Sequence, residues 1–225
     1  MFRATHSIPW TAAASLVLAL ALSAPVAAQA VGAPVVSMMT SLCSSTRVSL
    51  DQRLTALSDA WRTANDDEVP GISATLARAT TVMLVLSGGA EPEQADAAAE
   101  AFEQRIAARR AAAADDPRGA MRLLVHKTIP GFALGLEQID GDRLAGVNCR
   151  LMVKNPDTAL RDDMLLRFSL MPQERRGALS AWRMANFLLG SDGARIEHRR
   201  SLTFIPATDD GTFMILEYSV IAQKP

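Results

Sequence analysis

Near residue 119 the spacing of apolar residues changes from a period of about 3.6 to a period of two, which asks for helices first and strands afterwards. Before that point, Leu50, Leu54, Leu57 and Trp61 recur at intervals of four, three and four residues behind Ser49 and Gln52. Ser49 and Gln52 form a capping-box pattern, so a helix is predicted to start there and to end near Asn65. Val69-Pro70-Gly71 is a break, after which Ile72, Leu76, Ala79 and Met83 share a second helical face as far as Gly88-Gly89. The run Val82 to Leu86 fits a short buried strand as well as the end of that helix. Residues 92–114 are rich in Ala, Glu, Gln and Arg, with Phe102 and Ile106 four apart, which predicts a third helix with a narrow apolar stripe.

Beyond the change the pattern is that of strands. Leu123 and Val125, then Phe132, Leu134 and Leu136, alternate with polar or small residues, and Asp140-Gly141-Asp142 supplies a turn. Ala145, Val147, Cys149, Leu151 and Val153 fall on one face of the next strand, which puts Cys149 on the core side. Asn155-Pro156 is predicted to open a helix whose Leu160, Met164 and Phe168 form its buried stripe. Three strands follow, near 179–189, 194–205 and 212–222, joined by Gly190-Ser191-Asp192-Gly193 and Asp209-Asp210-Gly211. The expected fold is α+β: N-terminal amphipathic helices packed on an antiparallel sheet of about five strands, in the order hairpin, helix, three-stranded meander. No internal repeat is visible.

Residues 1–30 stand apart. Arg3 precedes an apolar run from Thr11 to Val26, and Ala28 and Ala30 supply the small side chains of an A-x-A cleavage site. A signal peptide cut after Ala30 is expected, leaving a helical segment 31–119 and a sheet segment 120–225 that form one compact domain. The apolar run is broken at Pro25, short of the roughly 20 residues a bilayer requires, so no membrane span is expected after cleavage. The expected location is the periplasm of a Gram-negative bacterium or the exterior, in keeping with abundant Ala and Arg and only three lysines. In such an oxidising compartment Cys43 and Cys149 are expected to pair, with two buried free thiols as the alternative.

Arg3 is the only formal charge in the leader, so the remainder has 22 basic and 24 acidic residues, a net charge of −2. A polyanion needs a dense basic face, and the pairs Arg109-Arg110, Arg175-Arg176 and Arg199-Arg200 are scattered, so no nucleic-acid partner is expected. His126 and His198 are the histidines left to any acid–base mechanism. Alternation predicts His126 at the surface and buries His198 with Leu202 and Phe204. There is no G-x-S-x-G elbow, no H-E-x-x-H and no C-x-x-C, so neither a metal nor a cofactor is expected. Leu86-Ser87-Gly88-Gly89 resembles the signature of transport ATPases, but no phosphate loop accompanies it, and the glycines read as a helix stop. Glu217 and Arg183 interrupt apolar strands, as Glu137 does, and His198, Glu217 and Arg183 are the weak catalytic candidates. The features favour a non-enzymatic exported module that binds a periplasmic protein or a small ligand. The alternative is a small hydrolase built on those three residues in a sheet cleft, a reading that fails if they lie on different faces.

Overall fold

The computed structural model describes residues 26–46, 48–112, 121–176, 179–190, 193–208 and 211–224. The expected leader up to residue 25, the turn residues Ser191, Asp192, Asp209 and Asp210, and the end of the third predicted helix lie outside the described residues. In chain order the elements are α1 (Val26–Cys43), α2 (Leu50–Leu57), β1 (Trp61–Thr63), α3 (Val69–Leu86), α4 (Ala95–Ala112), β2 (Met121–His126), β3 (Phe132–Asp140) and β4 (Leu144–Lys154). They continue with α5 (Thr158–Phe168), β5 (Gln173–Arg176), β6 (Leu179–Leu189), β7 (Arg195–Thr208) and β8 (Gly211–Gln223).

All eight strands form one antiparallel sheet in the order β1-β2-β3-β4-β8-β7-β6-β5. The order is that of two four-stranded units meeting at β4 and β8, each unit preceded by a short helix, α2 or α5. Only the first unit has an inserted helix pair, α3 and α4, between its first two strands. The segments 31–119 and 120–225 share this sheet, because β1 pairs with β2.

Helices cover both faces, so there are two cores. On one side Leu134, Leu136, Cys149, Leu151, Leu202, Met214 and Leu216 meet Met39 and Cys43 of α1, Leu50 and Leu57 of α2, and Leu160, Met164 and Phe168 of α5. On the other, Met121, Leu123, Met152 and Ile215 meet Ile72, Leu76, Ala79 and Val82 of α3 and Ile106 of α4. α3 has the length and apolarity to cross a membrane, yet Leu76 and Ala77 are fully buried, Leu76 within the core beneath the sheet. Its limits follow from local chemistry: Pro70 occupies the first turn, where its missing N–H costs nothing, and Gly88 beyond the helix adopts φ +70°.

The disulfide joins Cys43, the last residue of α1, to Cys149 on the buried face of β4, with a Cα–Cα distance of 6.1 Å. It ties down a helix, α1, that the periodicity of the sequence does not announce. α1 runs unbroken through Ala30, the residue after which cleavage is expected.

Several expectations need correction. The sheet has eight strands, not about five; β1 and β5, at three and four residues, are too short to display a period. α2 keeps its capping box, with Ser49 Oγ accepting the Gln52 N–H at 3.3 Å and Gln52 Oε1 accepting the Ser49 N–H at 3.0 Å. It stops at Leu57 rather than Asn65, however, because Trp61 is recruited to strand β1 opposite His126, an instance of tertiary pairing overriding a helical spacing. The cap of α5 is Asp157, whose Oδ1 accepts the Leu160 N–H at 2.7 Å, and not Asn155. Asn155 instead takes φ +49° and its Oδ1 accepts the Thr212 N–H at 3.0 Å, clasping the end of β4 to the start of β8.

The cross-link closes a loop with a sequence separation of 106. Replacing both cysteines by alanine should lower the unfolding free energy by about 2–5 kcal/mol, the usual cost of losing a native disulfide. Equilibrium denaturant titration of the oxidised protein against the double variant checks this; equal midpoints would show that the bond adds no stability.

Candidate functional site

Because side chains alternate along a strand, every second residue of β4, β6, β7 and β8 points toward α3. One row across this face reads Arg150, Glu217, Ser201 and Arg183 on β4, β8, β7 and β6. The next row reads Glu137, Asn148, Ser219 and Arg199 on β3, β4, β8 and β7. Glu197 lies beyond Arg199 on β7, and Glu174 lies on β5 opposite Ala181. Where the rest of this face is apolar and packed on α3, these rows are polar, and much of their polarity is out of water: Glu137, Asn148, Ser201 and Ser219 are all less than 10% exposed.

The floor of these charged side chains and a wall formed by Thr80, Met83 and Leu84 of α3 with Ser87 just beyond it enclose a cleft of about 610 Å³. That lies within the range of small-molecule sites. Four arginines and three glutamates line it, and all of them but Arg200 face a partner of opposite charge. Arg199 forks onto Glu197 with nitrogen–oxygen distances of 2.7 and 2.9 Å, and Arg183 Nε donates to Glu174 Oε1 at 2.6 Å. Arg150 Nε approaches Glu217 at 3.5 Å without forming a hydrogen bond. The Arg199 guanidinium is raised above its ordinary pKa, first by its hydrogen bond to Glu197, against desolvation, with the charges of Glu197 and Glu217 adding. At the edge of the patch, Arg109 of α4 forms an ion pair with Glu137.

Polar satisfaction is incomplete here. Arg150 Nε, Glu174 Oε2 and Asn148 Oδ1 are buried and have no hydrogen-bond partner among the described residues. Such orphans are uncommon in native proteins and concentrate where a ligand or an ordered solvent completes the shell.

Of the sequence candidates, Arg183 and Glu217 meet in this cleft. His198 does not: it shares the face of Leu202, on the disulfide side, with the sheet between it and the other two. His198 is also half-exposed rather than buried. The fold therefore does not bring the three residues together on one face of the sheet. Arg150, Glu174, Glu197 and Arg199 escaped the sequence reading because a charged residue in alternate positions of a strand looks the same whether its face is wet or covered.

A second cleft, about 710 Å³, opens at the start of α3 beside Arg62, Glu68, His126, Lys154 and Phe213. No described side chain in its lining holds a buried polar atom without a hydrogen-bond partner. Arg62 forks onto Glu68 at 2.7 and 2.8 Å, and this hydrogen bonding, with the Asn65 N–H and the Arg62 charge added, holds the Glu68 carboxyl down to about 2 against desolvation. His126 is not a free surface group as alternation suggests. Its ring stands edge-on to Trp61 at 5.1 Å and to Phe132 at 6.5 Å, and Nδ1 accepts the N–H groups of Thr128 and Ile129 at 3.2 and 3.0 Å. Desolvation lowers its pKa from the usual 6.5.

A lowered histidine pKa means that the folded state resists protonation, so His126 stabilises fully above about pH 6.5 and loses that contribution as the pH falls toward the folded value. His126→Asn, which keeps an acceptor in the Nδ1 position and cannot titrate there, should flatten the decline in thermal midpoint below pH 6.5; an unchanged slope would show that His126 does not set it. For Glu68 the depressed carboxyl contributes above its usual range and loses the effect as pH falls to about 2. Glu68→Gln should accordingly be slightly less stable at neutral pH and indistinguishable from wild type near pH 2, read from the same melts.

Comparison with protein-family models, with curated proteins and with solved structures finds no match, so the geometry of the cleft stands as the functional evidence.

Proposed function

We propose that this chain is an exported, periplasmic, non-enzymatic module that binds a small ligand in the cleft between α3 and strands β4 to β8. The observation carrying this reading is the pair of orphaned charged atoms, Arg150 Nε and Glu174 Oε2, in a cleft of ligand size. A protein does not bury a cationic donor and an anionic acceptor unsatisfied without cost, and a bound molecule supplies the missing bonds. The described lining holds no histidine or cysteine, and each carboxylate stands against a guanidinium, an arrangement suited to recognition. Export is supported by the n-region, apolar run and A-x-A of residues 1–30 and is compatible with the disulfide between Cys43 and Cys149.

A second reading, docking of a partner protein, is favoured by one observation. Phe187, Leu188 and Leu189 at the end of β6 are 52%, 54% and 81% exposed, a run of large apolar side chains that water alone does not reward.

Native mass spectrometry of the protein produced with its own leader and purified from the periplasm tests both. The expected result is a chain starting near Val31 that carries a small added mass, lost on denaturation, absent from Arg150→Ala and retained by His198→Ala. A co-purifying polypeptide lost in Phe187→Ser would favour the second reading. A bare chain from wild type would overturn the first.

A further inference from the structure

We infer that the ligand of this cleft is a short zwitterion with separated charges, of the class of a peptide of three or four residues with free termini. Its carboxylate sits at Arg150 and its ammonium group at Glu174; the inference rests on reading the cleft as the ligand site. Three features carry it. The two charged orphans are opposite in sense, a guanidinium nitrogen lacking an acceptor and a carboxylate oxygen lacking a donor, so the molecule that completes both must present an acceptor at one end and a donor at the other. They lie at opposite ends of the cleft, on β4 and β5, strands four places apart in the sheet, which is about 19 Å between backbones before the side chains reach inward. An extended peptide of three or four residues covers about 10–14 Å, a length that fits within that separation once both side chains extend into the cleft.

The arrangement of charge is the third feature. Four arginines and three glutamates line the cleft; Arg150, Arg183 and Arg199 stand against Glu217, Glu174 and Glu197, while Arg200 lies opposite Tyr218 with its guanidinium over that ring, so the floor beneath α3 offers separated, paired charges rather than one sign. Between the two ends the wall is Met83 and Leu84 of α3 with Met184 of β6, flexible apolar groups that adapt to varied side chains. That composition predicts selectivity for the termini and tolerance of the residues between them.

Isothermal titration of the mature protein with four defined probes tests this: trialanine, N-acetyl-trialanine amide, succinate and putrescine. Trialanine should bind, with at least a tenfold loss when both termini are blocked, and more weakly to Glu174→Gln and to Arg150→Ala, each checked for native circular dichroism. Glu174 lies on a short edge strand, so its variant keeps the test meaningful if Arg150→Ala fails to fold. Equal binding of the free and blocked peptides would overturn the inference, as would binding of succinate or putrescine but not of trialanine. In those cases a carried small mass that depends on Arg150 would still uphold the cleft as a ligand site. Silence from all four probes overturns the ligand class, while the native mass of the periplasmic protein decides separately whether the cleft is occupied at all.

Discussion

The pairing of β4 with β8, unbroken from Leu144 opposite Gln223 to Lys154 opposite Phe213, is the contact on which the remainder of the molecule depends. It joins the two four-stranded units into one sheet. Its residues serve both faces in alternation: Cys149, Leu151, Leu216 and Tyr218 build the core that holds α1, α2 and α5, while Arg150, Met152, Ile215 and Glu217 face α3. Register is therefore set by burial on both sides. A slip of one residue would move the disulfide cysteine to the α3 face and Arg150 into the apolar core, a cost far above the few kcal/mol by which domains are stable.

The polar cleft follows from an asymmetry between the units. The first has α3 and α4 inserted after its opening strand; the second passes from β5 to β6 through a short connection. One helix pair must then serve a face eight strands wide, with α4 against β2 and α3 reaching β4, β5, β6 and β7. The area left beside α3 is half-covered, and half-covered surface is where charged residues can be held in fixed geometry while still open to a ligand.

Much of this architecture was legible from periodicity. α3, α4, α5 and the long strands β3, β4, β6, β7 and β8 display their period over enough residues to be read, and the alternation of 145–153 correctly placed Cys149 on the core side. β1 and β5 were not legible, and neither was α1, whose start overlaps what reads as a leader. Trp61 misled because a spacing of four fits a helix and says nothing of a strand waiting to pair. At the site, Glu217 and Arg183 were visible as charges inside apolar strands, but grouping them with His198 ignored parity. His198 shares the even positions of β7 with Leu202, whereas Arg199 and Ser201 take the odd ones. Applying that parity across β3, β4, β7 and β8 together would have gathered Glu137, Asn148, Arg150, Arg199, Glu217 and Ser219 on one face. That α3 half-covers this face is tertiary information and had no local signal.

The central position of β4 also shapes how the chain reaches this state. β8 begins at Gly211, well after β4 ends at Lys154, so a chain folding in order from its N-terminus would for an interval hold β4 with one side paired to β3 and the other open. For that interval the first unit is a half-sheet with an eleven-residue unpaired edge, the kind of template on which chains of the same sequence exchange strands or aggregate. Any variant that delays or weakens β8 prolongs that exposure, so its damage would appear as swapped or insoluble protein before it appeared as lost binding.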